Sequence, residues 1–281
     1  MDNNWCSLHI YTRDFDLVSP LVKYVYNSLG EDFYKDSFFI RYWLGGPHLR
    51  LRFKGEDNKF KVFSAVEKFV KNHKSTYINK DEYYENYKYY SDSKDLPFYN
   101  YGDVIETPYE RELNRYGGNK AIYACEDFFC LDSENLFSAI NEGYDNELIM
   151  LLYTIKYIEV ANNHGLNGMS LVDIEGIAPK DSGWNYAINQ VDRKYSENKS
   201  DYFSAVEGGY DLPLINGLDG FLGSLIQRLM ELNVNYIEEI LNSLLHMSFN
   251  RIGVSPLKEG VIRRFSKNII EDGYEFSKNK N

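Results

Sequence analysis

The chain has 281 residues, 43% apolar and 26% charged, which is the composition of an ordinary globular protein and excludes a disordered or fibrous one. Its 42 acidic against 31 basic side chains give a net charge of −11, which opposes a broad, sequence-independent grip on nucleic acid. The longest apolar stretch, Leu148 to Ile155, is too short to cross a bilayer, and the start lacks signal-peptide features, so the expected compartment is the cytoplasm.

In chain order, Trp5 to Tyr11 reads as a strand and Leu17 to Leu29 as an amphipathic helix closed by Gly30. Phe38 to Leu44 and His48 to Phe53 read as two further strands, Phe60 to Asn72 as a helix, and Asp103 to Tyr109 as a fourth strand. That order, β-α-β-β-α-β, predicts a ferredoxin-like arrangement. Between the last two lies a tyrosine-dense segment (Tyr83, Tyr84, Tyr87, Tyr89, Tyr90, Tyr99, Tyr101) without a period, read as a functional loop or an interface. With 25 Tyr, 17 Phe and 3 Trp, the chain is 16% aromatic, which suits surfaces that contact peptides. From Gly117 onward the pattern predicts helices over Asn119 to Phe129, Ser133 to Ile140, Glu147 to Asn162, Gly183 to Lys194, Leu218 to Leu232, Asn235 to Arg251 and Leu257 to Ile270. The expected fold is therefore α+β in a single domain over 1–281, a small, mostly antiparallel sheet (1–116) packed by a helical half (117–281). Cys6, Cys125 and Cys130, odd in number and without a CxxC pair, read as buried apolar residues.

The segment from Phe38 to Phe53 is two strands around Gly45-Gly46, a hairpin signature. Alternation puts His48, Arg50 and Arg52 on one face and Leu49, Leu51 and Phe53 on the other. A two-residue loop pairs Tyr42 with Leu49, Ile40 with Leu51 and Phe38 with Phe53, an apolar face. It also sets Arg41 opposite Arg50, a like-charge pair that an anion between them would relieve. Arginines pairing with the surplus carboxylates, or pointing into water, account for the same pattern. In the second basic cluster, Glu112-Leu113-Asn114-Arg115-Tyr116-Gly117-Gly118, Glu112 has the spacing to hold the Arg115 guanidinium, and the glycines open a helix N-terminus toward an anion. On the residues alone, an ordinary turn with a surface ion pair is the favoured reading. His246 is turned away from the stripe Ile237, Ile240, Leu241 and Leu244, toward Asn242, Ser243 and Asn250. No histidine pair has metal-ligand spacing.

Taken together, Phe38 to Tyr42 with Gly46 to Phe53, Glu112 to Gly118, and His246-Met247…Asn250-Arg251 resemble the C-terminal elimination domain of class I lanthipeptide dehydratases. That domain also occurs free-standing in thiopeptide bacteriocin biosynthesis. The resemblance covers nearly the whole chain, with Asn114 standing where many relatives carry an acid. It implies a lyase, the elimination subunit of a split dehydratase, acting on a ribosomal precursor peptide after a separate glutamyl-tRNA-dependent subunit has glutamylated its Ser and Thr residues. Loss of glutamate then leaves dehydroalanine or dehydrobutyrine. The resemblance assigns His246, Arg50, Arg52 and Arg115 to the chemistry, and Arg41, His48, Glu112, Tyr116, Asn250 and Arg251 to substrate contact. It implies no metal or organic cofactor, no tight tRNA binding by this chain and no membrane. The same superfamily contains the thiopeptide pyridine synthases, which join two dehydroalanines in a formal aza-cycloaddition and release the leader peptide. An inert scaffold that binds precursor peptide is the third reading, and charged residues retained in three motifs argue against it.

Overall fold

In the computed structural model, residues 5–75, 78–85, 95–173 and 182–273 are described. The elements in order are β1 (Trp5–Tyr11), α1 (Val18–Leu29), α2 (Glu31–Tyr34), β2 (Ser37–Tyr42), β3 (His48–Lys54), α3 (Glu56–Asn72), α4 (Lys80–Glu85) and β4 (Val104–Glu106). They are followed by α5 (Gly118–Glu142), α6 (Asn146–Asn163), α7 (Ser182–Glu197), α8 (Lys199–Tyr210), α9 (Pro213–Glu231), α10 (Ile237–Ile252) and α11 (Pro256–Glu271). The chain forms two compact units. The first comprises 1–111, 129–141 and 251–253, and the second 112–128, 142–250 and 254–281.

The first unit holds the sheet, ordered β2-β3-β1-β4 with every pairing antiparallel. Cys6, Leu8 and Ile10 of β1 lie opposite Phe53, Leu51 and Leu49 of β3, and Phe39 of β2 lies opposite Leu51, so one face is continuous core. Helices α1 and α3 pack on each other, and Tyr26 of α1 meets Phe39 edge-on at 5.7 Å. Each fully buried Leu or Phe here contributes about 1.5–3 kcal/mol, so the register that keeps this face apolar is strongly favoured.

The register of β2 against β3 differs by one residue from the expected one. Tyr42 pairs with His48, Arg41 with Leu49, Ile40 with Arg50, Phe39 with Leu51 and Phe38 with Arg52. The loop therefore runs from Trp43 to Pro47 rather than over Gly45-Gly46 alone, with both glycines at positive φ. Tyrosines fix this longer tip: Tyr84 Oη accepts from Gly45 N at 2.9 Å, and Tyr83 Oη donates to the Trp43 carbonyl at 2.8 Å. A Cβ on Gly45 would lie 3.0–3.2 Å from the Tyr99 and Tyr11 rings, so only glycine fits. Tyr83 and Tyr84 are thus internal braces rather than a loop surface, while Tyr87, Tyr89 and Tyr90 lie outside the described residues.

The second unit is helical. Nearly every side chain of α6 from Ile149 to Ile158 is buried, and α9, α11 and α8 surround it, as a helix apolar all round requires. Asp145 caps α6 by accepting from Leu148 N at 2.8 Å, and Ser255 with Pro256 opens α11. Two expectations change. The helices expected over Asn119–Phe129 and Ser133–Ile140 are one helix, α5, because Asp132 and Ser133 are buried within it rather than breaking it. Helix α8 has no counterpart among the expected helices, and its sequence carries Gly208 and Gly209, poor helix formers. Gly209 stays helical where a Cβ would collide with Leu152 at 2.5 Å. All three cysteines are buried, and no helix among the described residues is long and apolar enough to cross a membrane.

Candidate active site

Alternation on β1, β2 and β3 turns His9, Tyr11, Tyr42, His48, Arg50, Arg52 and Phe38 to the sheet face opposite the core. Arg50 lies over the Tyr42 ring, 3.4 Å from its centroid, and Arg52 lies 5.4 Å from the Phe38 ring and 5.1 Å from that of Tyr109. These rings hold flat guanidinium groups without neutralising them. His48 is buried and neutral. Its Nδ1–H donates to the Gly46 carbonyl at 2.8 Å, which leaves Nε2 to accept from Arg50 Nε at 3.3 Å. Expected as a substrate contact, His48 is instead closed to solvent and orients Arg50 from inside the sheet. His9, absent from the expected site, sits opposite Arg50, with its ring 5.0 Å from that of His48. The β1 alternation Trp5, Ser7, His9, Tyr11 was the signal that could have found it.

Burial, followed by the nearby positive charges, pushes the pKa of His9 down to about 4, and burial pushes that of His48 to about 3. Folded-state values below the ordinary 6.5 mean that the unfolded chain binds protons first as pH falls. The associated stability is complete above that value and is lost on the way down to the folded-state one. His48 should give a slope of about 1.4 kcal/mol per pH unit below neutrality, with His9 adding less because solvent screens it. Urea denaturation between about pH 7 and about pH 5, above the usual carboxylate range, measures this. A flat profile there would contradict the assignment.

Arg41 belongs to the other face. It is paired with Leu49, buried, and donates through Nε to the Arg251 carbonyl at 3.0 Å and through Nη2 to Ser19 Oγ at 2.6 Å. Its guanidinium rests on Gly253, where a Cβ would come within 2.9 Å. The expected Arg41–Arg50 opposition is thus absent, and with it the argument for an anion between them. Arg251 is likewise internal, joined to Asp132 at 2.7 Å with both side chains at 1% exposure or less. Arg41 and Arg251 brace the first unit.

In the second unit, the turn before α5 carries the Glu112–Arg115 pair. Arg115 Nη1 donates to Glu112 Oε2 at 3.2 Å, and both side chains reach solvent. The turn is closed by Gly118 N donating to the Leu113 carbonyl at 2.7 Å, with Gly117 and Gly118 at positive φ. Arg115 also lies 5.6 Å from the Tyr116 ring centroid. Tyr116 itself is buried, a support for the turn rather than a contact surface.

Helix α10 buries Ile237, Ile240, Leu241, Leu244 and Leu245 and leaves Asn242, Ser243, His246 and Asn250 partly exposed, as the spacing predicts. His246 is 41% exposed, and its Nδ1 lies 2.8 Å from Oε2 of Glu259 on α11, which is 9% exposed. Glu259 was missed because nothing local in sequence ties it to His246. A signal was nevertheless present: Glu259 and Arg263 occupy core-spaced positions with Ile262, Ser266 and Ile269, where charge marks a buried polar network. Among the described residues no cluster of three or more His, Cys, Asp or Glu has the geometry to hold a metal.

A four-stranded antiparallel sheet with helices on it, in a chain that is otherwise helical, is an α+β protein. The chain belongs to the lantibiotic biosynthesis dehydratase C-terminal family, which matches residues 5–270. It is 26% identical over 135 residues to the subtilin biosynthesis protein SpaB of Bacillus subtilis, a stretch that is 47% of this chain and 11% of SpaB. Its fold is similar to that of TbtD, a pyridine synthase from thiomuracin biosynthesis (TM-score 0.72, 13% identity, 97% of this chain and 99% of TbtD). It is also similar to part of MibB, a tRNA-dependent lantibiotic dehydratase from Microbispora sp. 107891 (TM-score 0.56, 15% identity, 96% of this chain and 28% of MibB).

Proposed function

We propose that the chain is a lyase that removes glutamate from glutamylated Ser and Thr residues of a ribosomal precursor peptide, working after a separate glutamylating subunit. The observation that carries this reading is His246, half-exposed on a helix and held through Nδ1 by a buried carboxylate, so that Nε2 is left for proton transfer. In the reaction a proton leaves the α-carbon, the Cβ–O ester bond breaks, and its electron pair departs with the glutamate carboxylate. The developing negative charge on the peptide carbonyl and on the leaving group calls for cations. Arg50, Arg52 and Arg115 are assigned to these charges, with Glu112 holding Arg115 and Asn250 contacting the peptide. Whether His246 takes the α-proton or protonates the leaving group, it must exchange a proton at Nε2. Family membership and the likeness to part of MibB support the assignment.

The pyridine-synthase reading is kept as second because the fold likeness to TbtD has the higher TM-score. Substrates separate the two. Incubated with a glutamylated precursor, the chain should release glutamate and leave dehydrated peptide detectable by mass spectrometry. No action on the ester, together with conversion of a dehydrated, azole-bearing peptide to a pyridine macrocycle, would establish the second reading instead. Arg115→Ala should fold normally, since its partner is an exposed carboxylate, and should let glutamylated peptide accumulate. Dehydration at the wild-type rate by the folded variant would remove Arg115 from the site.

A further inference from the structure

We propose that Glu259 is a positioning residue for His246, fixing the neutral imidazole as the tautomer protonated on Nδ1 so that Nε2 stays unprotonated and open. The inference rests on the role given to His246 above and deepens it. Four side chains from two helices form the device. His246 and Asn242 lie one turn apart on α10, and Glu259 and Arg263 one turn apart on α11. Arg263 donates to Glu259 Oε1 through Nε at 3.0 Å and Nη2 at 2.7 Å, and to Asn242 Oδ1 through Nη1 at 2.7 Å. Nη1 also donates to the Leu171 carbonyl. With Oε1 occupied by the guanidinium, Oε2 is the oxygen presented to His246 Nδ1, at 2.8 Å.

An ionised carboxylate only accepts, so the proton of this bond belongs to Nδ1. Burial raises the Glu259 pKa, but the His246 and Arg263 contacts outweigh it, and the net shift is downward, toward the ionised form. The arrangement lets a side chain 41% exposed be set by one that is 9% exposed and itself anchored by an arginine at 2%. A carboxylate behind an imidazole, oriented by a further group, is how a base is kept in one tautomer and stabilised when it takes a proton.

The competing account is a plain clamp between α10 and α11, and Glu259→Gln distinguishes them. Arg263 needs an acceptor at the Oε1 position, so the amide oxygen goes there and the amide NH₂ is turned to His246 Nδ1. The imidazole then accepts at Nδ1 and carries its proton on Nε2. Imidazole ¹⁵N shifts of the full chain, recorded at about pH 8.5, two units above the ordinary histidine value, read this directly, with His246 assigned by its loss in His246→Gln. The expected result is Nδ1–H in the wild type and Nε2–H in Glu259→Gln, with single-turnover glutamate loss slowed about 10²- to 10⁴-fold. Glu259→Asp, which keeps an acceptor-only group, should retain the wild-type tautomer and serves if the glutamine variant does not fold. Nε2–H in the wild type, or one unchanged tautomer in wild type and Glu259→Gln, would overturn the proposal. The shifts decide this even if the chain proves to act on a substrate other than a glutamyl ester, which the substrate comparison above detects separately.

Discussion

Asp132→Ala should destabilise the first unit by about 3–5 kcal/mol, the cost of leaving a buried guanidinium without its counter-charge. Asp132 and Arg251 are the most deeply buried ion pair described, 2.7 Å apart, with side chains 0% and 1% exposed. The loss should spread beyond the pair, because the Arg251 backbone carbonyl accepts from Arg41 Nε, and Arg41 in turn holds Ser19 on α1. Urea denaturation measures the effect as a fall in midpoint. Replacing both partners with apolar residues of similar volume, Asp132→Leu with Arg251→Met, should recover most of the loss, since desolvating the two charges offsets much of their attraction. A single variant as stable as wild type would mean that Arg251 finds another counter-charge or leaves the interior.

His246→Ala should slow single-turnover elimination by about 10²- to 10⁴-fold, the usual contribution of a general acid or base, while leaving peptide affinity nearly unchanged. The side chain is 41% exposed and lies outside the α10 core stripe, so the fold should survive its removal at a cost of about 1–3 kcal/mol, set by the buried Glu259 oxygen left without its donor. Affinity that collapses while the bound-state rate stays normal would make His246 a binding residue.

Strand and helix positions were legible in the sequence wherever period and punctuation agreed: β1 runs from Trp5 to Tyr11 as expected, and α6 and α11 differ from expectation by a residue at each end. What local pattern could not show was long-range partnership. Asp132 looked like a helix break because its partner, Arg251, is 119 residues away. Arg41 and Arg251 looked like site residues because a charged side chain in a motif gives no sign of whether it is buried against another. Glu259 was passed over for the same reason. The exposed part of the candidate site, Glu112 with Arg115 and His246 away from its apolar stripe, was legible because it depends on spacing within a single turn or helix.

The hairpin tip from Trp43 to Pro47 separates the length of the turn from the chemistry of the sheet. Its tyrosine braces hold β2 one residue out of step with a two-glycine turn, and β3 is locked on its other edge by β1. The buried side chains of Phe39 and Leu51 oppose any slip, so a residue gained or lost at the tip should be taken up by the loop and leave the strands in place. Only a one-residue slip of β2 itself would take Phe39 out of the core and bring Arg41 to the cationic face, altering the charge pattern of the sheet with no residue of the strands changed.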